Sequence, residues 1–184
     1  MKSTLKCAAV YNSFSSQHTA RAYYIRVYAI GQIEVGFRVW YDIAMAGYSQ
    51  TPLIKKLGLD SLTQTQPVFF LDPPYTFFKE VGDLSHLKIL AQLEPAFYIH
   101  WFVTDYAFFK ESLPLITQNL DKQGLLWISW PKKSAQKEAG IESDIDENLI
   151  REAILELELV DVKVCAIDDI WSGLKCVWRK GSRR

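Results

Sequence analysis

Phe97-Tyr98-Ile99-His100-Trp101-Phe102-Val103 places six apolar or aromatic residues around one histidine. A run this short, continuous and rich in β-formers reads as a strand covered on both faces, as strands of parallel sheets are. Two further runs match it: Pro67-Val68-Phe69-Phe70-Leu71 upstream, and Leu125-Leu126-Trp127-Ile128-Ser129-Trp130 after Gly124 downstream. Between the second and third runs Tyr106, Phe109, Leu113, Ile116 and Leu120 recur at steps of three and four, one face of helical structure. Pro114 inside that pattern predicts a kink, or a second helix capped by Ser112.

Outward from these runs the alternation continues. Thr51-Pro52 before Leu53, Ile54 and Leu57 predicts a short helix that Gly58 stops. The segment 84–93 accommodates a short helix, a strand or both. Asp144 to Leu157 predicts the clearest helix, with Ile145, Leu149, Ile150, Ala153, Ile154 and Leu157 on one face and Asp146, Glu147, Arg151, Glu152 and Glu156 on the other. Val160 to Ile167 alternates, which sets Val160, Val162, Val164 and Ala166 on one face, and Leu174 to Trp178 follows closely enough to pair as an antiparallel hairpin. Strands alternating with helices predict an α/β fold: three-layer and Rossmann-like, with a mostly parallel sheet ending in an antiparallel β-hairpin. Such a closing hairpin is the usual ending of the fold of S-adenosylmethionine-dependent methyltransferases, an analogy that does not fix function.

Composition narrows the classes. The 184 residues are 49% hydrophobic and 23% charged, as in ordinary globular chains. Arg21, Arg26, Glu34 and Arg38 interrupt the one long apolar region, so no membrane-spanning segment is predicted. Lysine plus arginine number 21 against 21 aspartates plus glutamates, and this balance argues against nucleic acid or anionic lipid as partner. Three cysteines, Cys7, Cys165 and Cys176, make no disulfide scaffold and fit a reducing, cytoplasmic compartment. Cys165 and Cys176 lie at similar distances from the hairpin turn, which predicts near neighbours that stay reduced.

Residues 1–44 differ from the rest: five are basic and two acidic. Their Ser-rich, aromatic-rich stretch fits a transit-type presequence. It also fits a hairpin over Tyr28 to Ile33 and Glu34 to Trp40, or translation from a misplaced start, with Met45 as the true first residue. The last is the favoured reading, because the organised pattern begins abruptly at Met45. The expected domains are therefore an N-terminal extension, 1–44, and a single α/β domain, 45–184.

Three blocks carry a more specific likeness: Thr51-Pro52-Leu53-Ile54-Lys55-Lys56-Leu57-Gly58, Leu126-Trp127-Ile128-Ser129-Trp130-Pro131-Lys132-Lys133-Ser134, and the stretch from Val160 to Lys175. In this order they resemble the signature blocks of the bacterial family called domain of unknown function 3052, over about Met45 to Lys180. The resemblance implies the Rossmann-like fold and a cytoplasmic setting, and it supplies no activity. It also implies a start near Met45.

Individual motifs have competing readings. Asp72-Pro73-Pro74-Tyr75 spells the tetrapeptide with which amino-group DNA methyltransferases hold the target amine beside the methyl donor. Those enzymes also need a glycine-rich turn after an earlier strand, and between Leu59 and Gln123 the only glycine is Gly82. The tetrapeptide therefore reads first as a proline-rigidified turn. Bulky side chains and two prolines without N–H groups also predict that no cofactor is used, with S-adenosylmethionine as the alternative. Glu94 has the position of a ribose-binding carboxylate, as many surface glutamates would.

In an open parallel sheet ligands bind beyond the carboxyl ends of the strands. That edge gathers the candidate contacts Asp72, Tyr75, Asp105, Lys132, Lys133, Ser134, Asp168, Asp169, Trp171 and Ser172. The lysines suit a phosphate or carboxylate, and the aspartates suit an amine or a metal. Lysine–aspartate pairs that merely tie loops together suit the pattern equally. Trp171-Ser172-Gly173 reads as the hairpin turn, with a positive φ at Gly173 and Trp171 capping the sheet, or as an exposed anchor for a protein partner. His100 reads as an interior histidine rather than a base. Scattered His and Cys show no zinc spacing, and no GxSxG or P-loop occurs.

The expectation is a cytoplasmic binding or regulatory module on a methyltransferase-like fold, contacting a protein or small molecule and carrying no catalytic residue or metal. The alternatives are an S-adenosylmethionine-dependent methyltransferase with an atypical loop, in which Asp72 or Tyr75 contacts substrate, and a nucleic-acid-associated protein using Lys132, Lys133 and the basic C-terminus.

Overall fold

A computed structural model describes residues 23–28, 34–39 and 51–181. The chain divides into two units, 1–50 and 51–184. In the first, strands β1 (Tyr23–Tyr28) and β2 (Glu34–Val39) pair antiparallel, with Tyr28 opposite Glu34. This is a hairpin whose first strand lies upstream of the expected one. Met45 lies outside the described residues.

The second unit runs α1 (Leu53–Leu57), β3 (Val68–Leu71), α2 (Phe77–Val81), β4 (Ala96–Phe102), α3 (Tyr106–Gln118), β5 (Leu120–Pro131), α4 (Lys133–Ala139), α5 (Glu147–Glu156), β6 (Leu159–Ala166) and β7 (Trp171–Trp178). The sheet has the order β3-β4-β5-β7-β6. β3, β4 and β5 pair in parallel, and β7 runs antiparallel to both β5 and β6, so four of the five strands share one direction. The expected α/β sheet with its closing hairpin is present.

Two apolar layers bury this sheet. On one face Phe109, Leu113 and Ile116 of α3 and Ile150, Ala153 and Ile154 of α5 enclose Ile99, Trp101, Leu126 and Ile128. On the other, Leu57, Phe77, Val81, Leu84 and Leu87 cover Tyr98, Phe102 and Trp127. The three apolar runs are thus strands buried on both sides, and removing a side chain such as Trp101 should cost about 3–5 kcal/mol. Trp127 Nε1 donates to the Leu57 carbonyl at 3.2 Å and pins the end of α1 to the sheet. Gly58, at φ 76°, closes that helix in the left-handed conformation that glycine adopts freely.

Several expectations change in detail. Pro114 sits inside one uninterrupted helix, α3. β5 begins at Leu120, five residues earlier than the apolar run, so the polar stretch from Asp121 to Gly124 is strand. β6 does not alternate regularly: its register shifts between Asp161 and Lys163, so Val160 faces Val177 and Val164 faces Leu174. Two such partners, an odd number of places apart on β7, lie on opposite faces of the sheet. Cys165 pairs with Gly173 and Cys176 with Asp161, so the two thiols are not neighbours. The hairpin turn is 167–170, ahead of Trp171. Gly173 lies in β7 and lacks a positive φ. It is needed for space instead, since a Cβ there would stand 2.9 Å from Ile167 Cδ1 and 3.0 Å from Ser129 Oγ.

The segment 84–93 contributes one parallel bridge, Ile89 with Val68. Val68 N–H donates to Lys88 O at 2.9 Å and Leu90 N–H to Val68 O at 2.8 Å, whereas Phe97 N–H reaches Pro67 O at 2.9 Å. Alternate residues of a strand bond to opposite sides, so 88–90 flanks the outer edge of β3 and β4 its inner edge. The chain leaves β3 outward and returns inward, which makes the gap between β3 and β4 the topological switch point of the sheet.

Candidate ligand crevice

Ligands of open α/β sheets bind outside the carboxyl ends of the strands at the switch point. Here that position is bordered by 72–76 after β3 and by 103–105 after β4. Asp72 is one of two described non-glycine residues with positive φ, at 51°. Aspartate is among the few residues that enter the left-handed region without prohibitive strain, because its short carboxylate bonds locally. The chain therefore makes at Asp72 the sharp exit from β3 for which a glycine is the usual choice. Pro73 and Pro74 then lead into α2.

The rim is aromatic and acidic. Tyr75 is 89% exposed, Phe78 45% and Phe108 55%, high values for such side chains. Phe78 meets Phe70 edge-on at 5.5 Å, and Phe108 meets the buried Trp101 at 6.3 Å. At the N-terminus of α3 the Asp105 carboxylate accepts the Phe108 N–H at 2.7 Å, and Asp144 accepts the Tyr106 N–H at 2.8 Å. Two carboxylates thus already satisfy the first turn of α3, which disfavours an added anion and favours a cation. Phe78, Phe108 and Asp144 did not figure among the expected contacts. The first two belong to apolar helices whose pattern signals burial, and Asp144 is separated from Tyr106 by 38 positions.

The other candidates assemble elsewhere along the same edge. Lys132, half-buried, donates from Nζ to the Asp168 carbonyl at 2.7 Å and the Asp169 carbonyl at 3.3 Å, and its N–H reaches Ile170 O at 2.8 Å. Asp168 Oδ1 accepts the N–H groups of Ile170 at 2.8 Å and Trp171 at 2.7 Å, which shapes the hairpin turn. Burial lowers the Lys132 ammonium from the usual lysine range against the pull of Asp168 and Asp169. Burial also raises Asp168, against the N–H groups of Trp171 and Ile170. Lys133 bonds Asp146 at 2.9 Å, and Asp146 also caps α5 through the N–H groups of Asn148 and Leu149. The bond from Lys133, then that from Leu149, holds the Asp146 carboxyl low.

Lys132 and Lys133 therefore tie loops to one another. Trp171 is buried, edge-on to Phe102 at 5.2 Å, and so is a part of the core rather than a projecting anchor. Ser134 and Asp169 are exposed and Ser172 half-buried. Of the ten expected contacts, Asp72, Tyr75 and Asp105 border the switch point. Among the described residues no group of three or more His, Cys, Asp or Glu is placed to hold a metal ion, and no helix is long and apolar enough to cross a membrane.

No family model matches the chain, and no curated protein matches it. Solved structures do. A tRNA methyltransferase of B. subtilis, TrmK, is 11% identical over 73% of this chain and 68% of its own, with a TM-score of 0.41. Magnesium protoporphyrin IX methyltransferase, ChlM, from Synechocystis with bound SAH is 10% identical over 68% of this chain and 80% of its own, with a TM-score of 0.47. The same enzyme with bound SAM is 11% identical over 68% and 76%, with a TM-score of 0.42. At such identities the likeness is one of fold. Against the expectation that no cofactor is used, two of these neighbouring structures hold SAH and SAM. Asp72 turns the chain left-handed where a glycine is the usual choice, while Pro73 and Pro74 still offer no N–H groups there.

Proposed function

We propose that this chain is a cytoplasmic S-adenosylmethionine-dependent methyltransferase with an atypical cofactor turn, the donor seated outside β3 and β4. The observation that supports it most is the switch point itself, where Asp72 turns the chain left-handed directly after β3. The chemistry of the rim agrees. S-adenosylmethionine combines a sulfonium cation with a flat adenine, and it supplies an electrophilic methyl group when bound. Asp72 and Asp105 offer carboxylates to the cation, while Tyr75, Phe78 and Phe108 offer ring faces to the base. Pro73 and Pro74 give no N–H groups, so this chain would hold the donor by rings and carboxylates more than by main chain. Membership of the family called domain of unknown function 3052 is part of the same proposal and rests on the three sequence blocks.

Calorimetric titration of the full chain with S-adenosylmethionine tests the reading. Saturable heat is expected, weakened about tenfold by Tyr75→Ala, which removes a largely exposed ring without touching the core. Absence of saturable binding by a folded sample defeats the proposal. A labelled methyl group retained quantitatively on the donor in the presence of cell extract defeats its catalytic part.

A further inference from the structure

Lys163 of β6 stands directly opposite Lys175 of β7. Like charges so placed on neighbouring strands repel. The bulge in β6 creates this juxtaposition: Asp161 faces Cys176 and Lys163 faces Lys175, leaving Val162 as the extra residue. In a regular strand, residues two apart share a face. Lys163 would then fall beside Asp161, on the α5 side, where Arg151 bonds Asp161 at 3.1 Å and Glu147 at 2.8 Å. The bulge instead turns Lys163 to the face that α1 covers, and bulges commonly re-aim one side chain in this way.

On that face the two ammonium groups meet no acid from the hairpin, because Asp161 is the only carboxylate on β6 or β7 and lies on the other side. Lys163 Nζ donates to the Lys56 carbonyl at 2.8 Å. Among the described residues Lys175, half-buried, makes no hydrogen bond and no ion pair. The end of α1 is already satisfied: Leu59 N–H bonds Ile54 O at 3.0 Å and Gly58 N–H bonds Lys55 O at 3.2 Å, while the Leu57 carbonyl takes the indole N–H of Trp127. Each of these carbonyls already accepts a hydrogen bond, and none accepts one from Lys175.

We infer that Lys163 and Lys175 form a binding site for a phosphate group, either free or carried as a phosphomonoester on a small molecule. Two adjacent monocations match a dianion, and lysine ammonium groups bind phosphate as point charges with rotatable donors. Lys163 keeps two N–H donors beyond its bond to Lys56, and Lys175 keeps all three. Burial first, and then the neighbouring Lys163, holds the Lys175 ammonium below the usual lysine range; a bound dianion reverses the second effect. The site lies mid-sheet on the α1 face, since Lys175 is opposite Trp127, and it is independent of the crevice outside β3 and β4.

The test is calorimetric and thermal titration of the full chain with inorganic phosphate and with glucose 6-phosphate, at ionic strength held constant with chloride. Saturable binding is expected, with a melting temperature raised above that in chloride. Lys175→Met weakens it about tenfold and leaves the ligand-free protein at least as stable, because a repulsion has been removed. Lys137→Met, on an exposed part of α4, keeps the full response and separates binding from the general stabilising effect of phosphate. Equal response to both ligands identifies free phosphate as sufficient, and response to the ester alone identifies the small molecule as the source. Phosphate indistinguishable from chloride, or a response that survives Lys175→Met, overturns the inference.

Discussion

His100 Nε2 lies 2.8 Å from Ser129 Oγ, and neither residue has any exposed surface. The imidazole stacks on Phe102 at 4.5 Å and meets Phe77 edge-on at 5.1 Å. Its Nδ1 and the nearby Tyr98 hydroxyl are buried without a hydrogen-bond partner. This is a neutral histidine inside an aromatic layer, with no route to a substrate.

Burial pushes the His100 pKa down to about 3, whereas an unfolded chain returns it to about 6.5. Between those values the unfolded state holds a proton that the folded state refuses, so stability falls as pH falls through this window. From pH 6.5 to pH 5 His100 alone should cost about 2 kcal/mol. Urea midpoints at the two pH values check this, and the double change His100→Phe with Ser129→Ala should flatten the loss. Ser129→Ala alone leaves Nε2 buried without a partner and should cost about 1–3 kcal/mol at neutral pH. An unchanged pH slope in the double variant contradicts the assignment.

Trp127 joins residues 70 positions apart in sequence through its bond to the Leu57 carbonyl. Trp127→Phe strands that carbonyl and opens a small void, at an expected cost of about 2–4 kcal/mol. The effect is local as well as global. In hydrogen exchange the amides of Lys55 to Leu59 should lose protection ahead of the β4–β5 ladder, and uniform loss across both would show that α1 is not held by this bond.

What sequence reading captures here follows from what leaves a periodic trace. The strands containing Val68, Ala96 and Leu126 were legible because burial on both faces leaves few polar residues in them, and α5 because its two faces differ. The bulge at Val162 was not, since Val-Asp-Val-Lys-Val reads identically in either register. The start of β5 was missed because Asp121-Lys122-Gln123 is polar and forms an irregularity between the paired residues Leu120 and Leu125. The carboxyl edge followed from strand direction alone. That Lys132 is committed to two main-chain carbonyls has no sequence signature, because any residue presents that acceptor.

Gly173 lies against the same aromatic layer. A Cβ there would stand 2.9 Å from Ile167 Cδ1, 3.0 Å from Ser129 Oγ and 3.2 Å from Trp127 Cε3. Neither the indole nor the serine bonded to His100 has room to give. Gly173→Ala should therefore destabilise by about 1–3 kcal/mol, although alanine suits a strand better than glycine does. Chemical denaturation measures it. The paired change Gly173→Ala with Ile167→Val, which trims the closest contact, should recover only part of the loss; a neutral Gly173→Ala would show that the layer is looser than these distances imply.

Asp72 holds φ at 51° directly after β3. If the crevice needs that backbone turn and not the carboxylate for its shape, glycine should serve there and a β-branched residue should not. Asp72→Gly is expected to keep the fold within about 1 kcal/mol of wild type, since glycine enters the left-handed region freely but loses more chain entropy. Asp72→Val should cost about 1–2 kcal/mol, because its branched Cβ collides with the following carbonyl in that conformation. Binding divides the two roles of the residue. Asp72→Gly with S-adenosylmethionine should show an affinity lowered only by the lost carboxylate, about tenfold or less, with the loss shrinking as salt rises. Asp72→Val should abolish binding even in a folded sample. Equal affinities for the two variants would remove the left-handed turn from the account of the crevice.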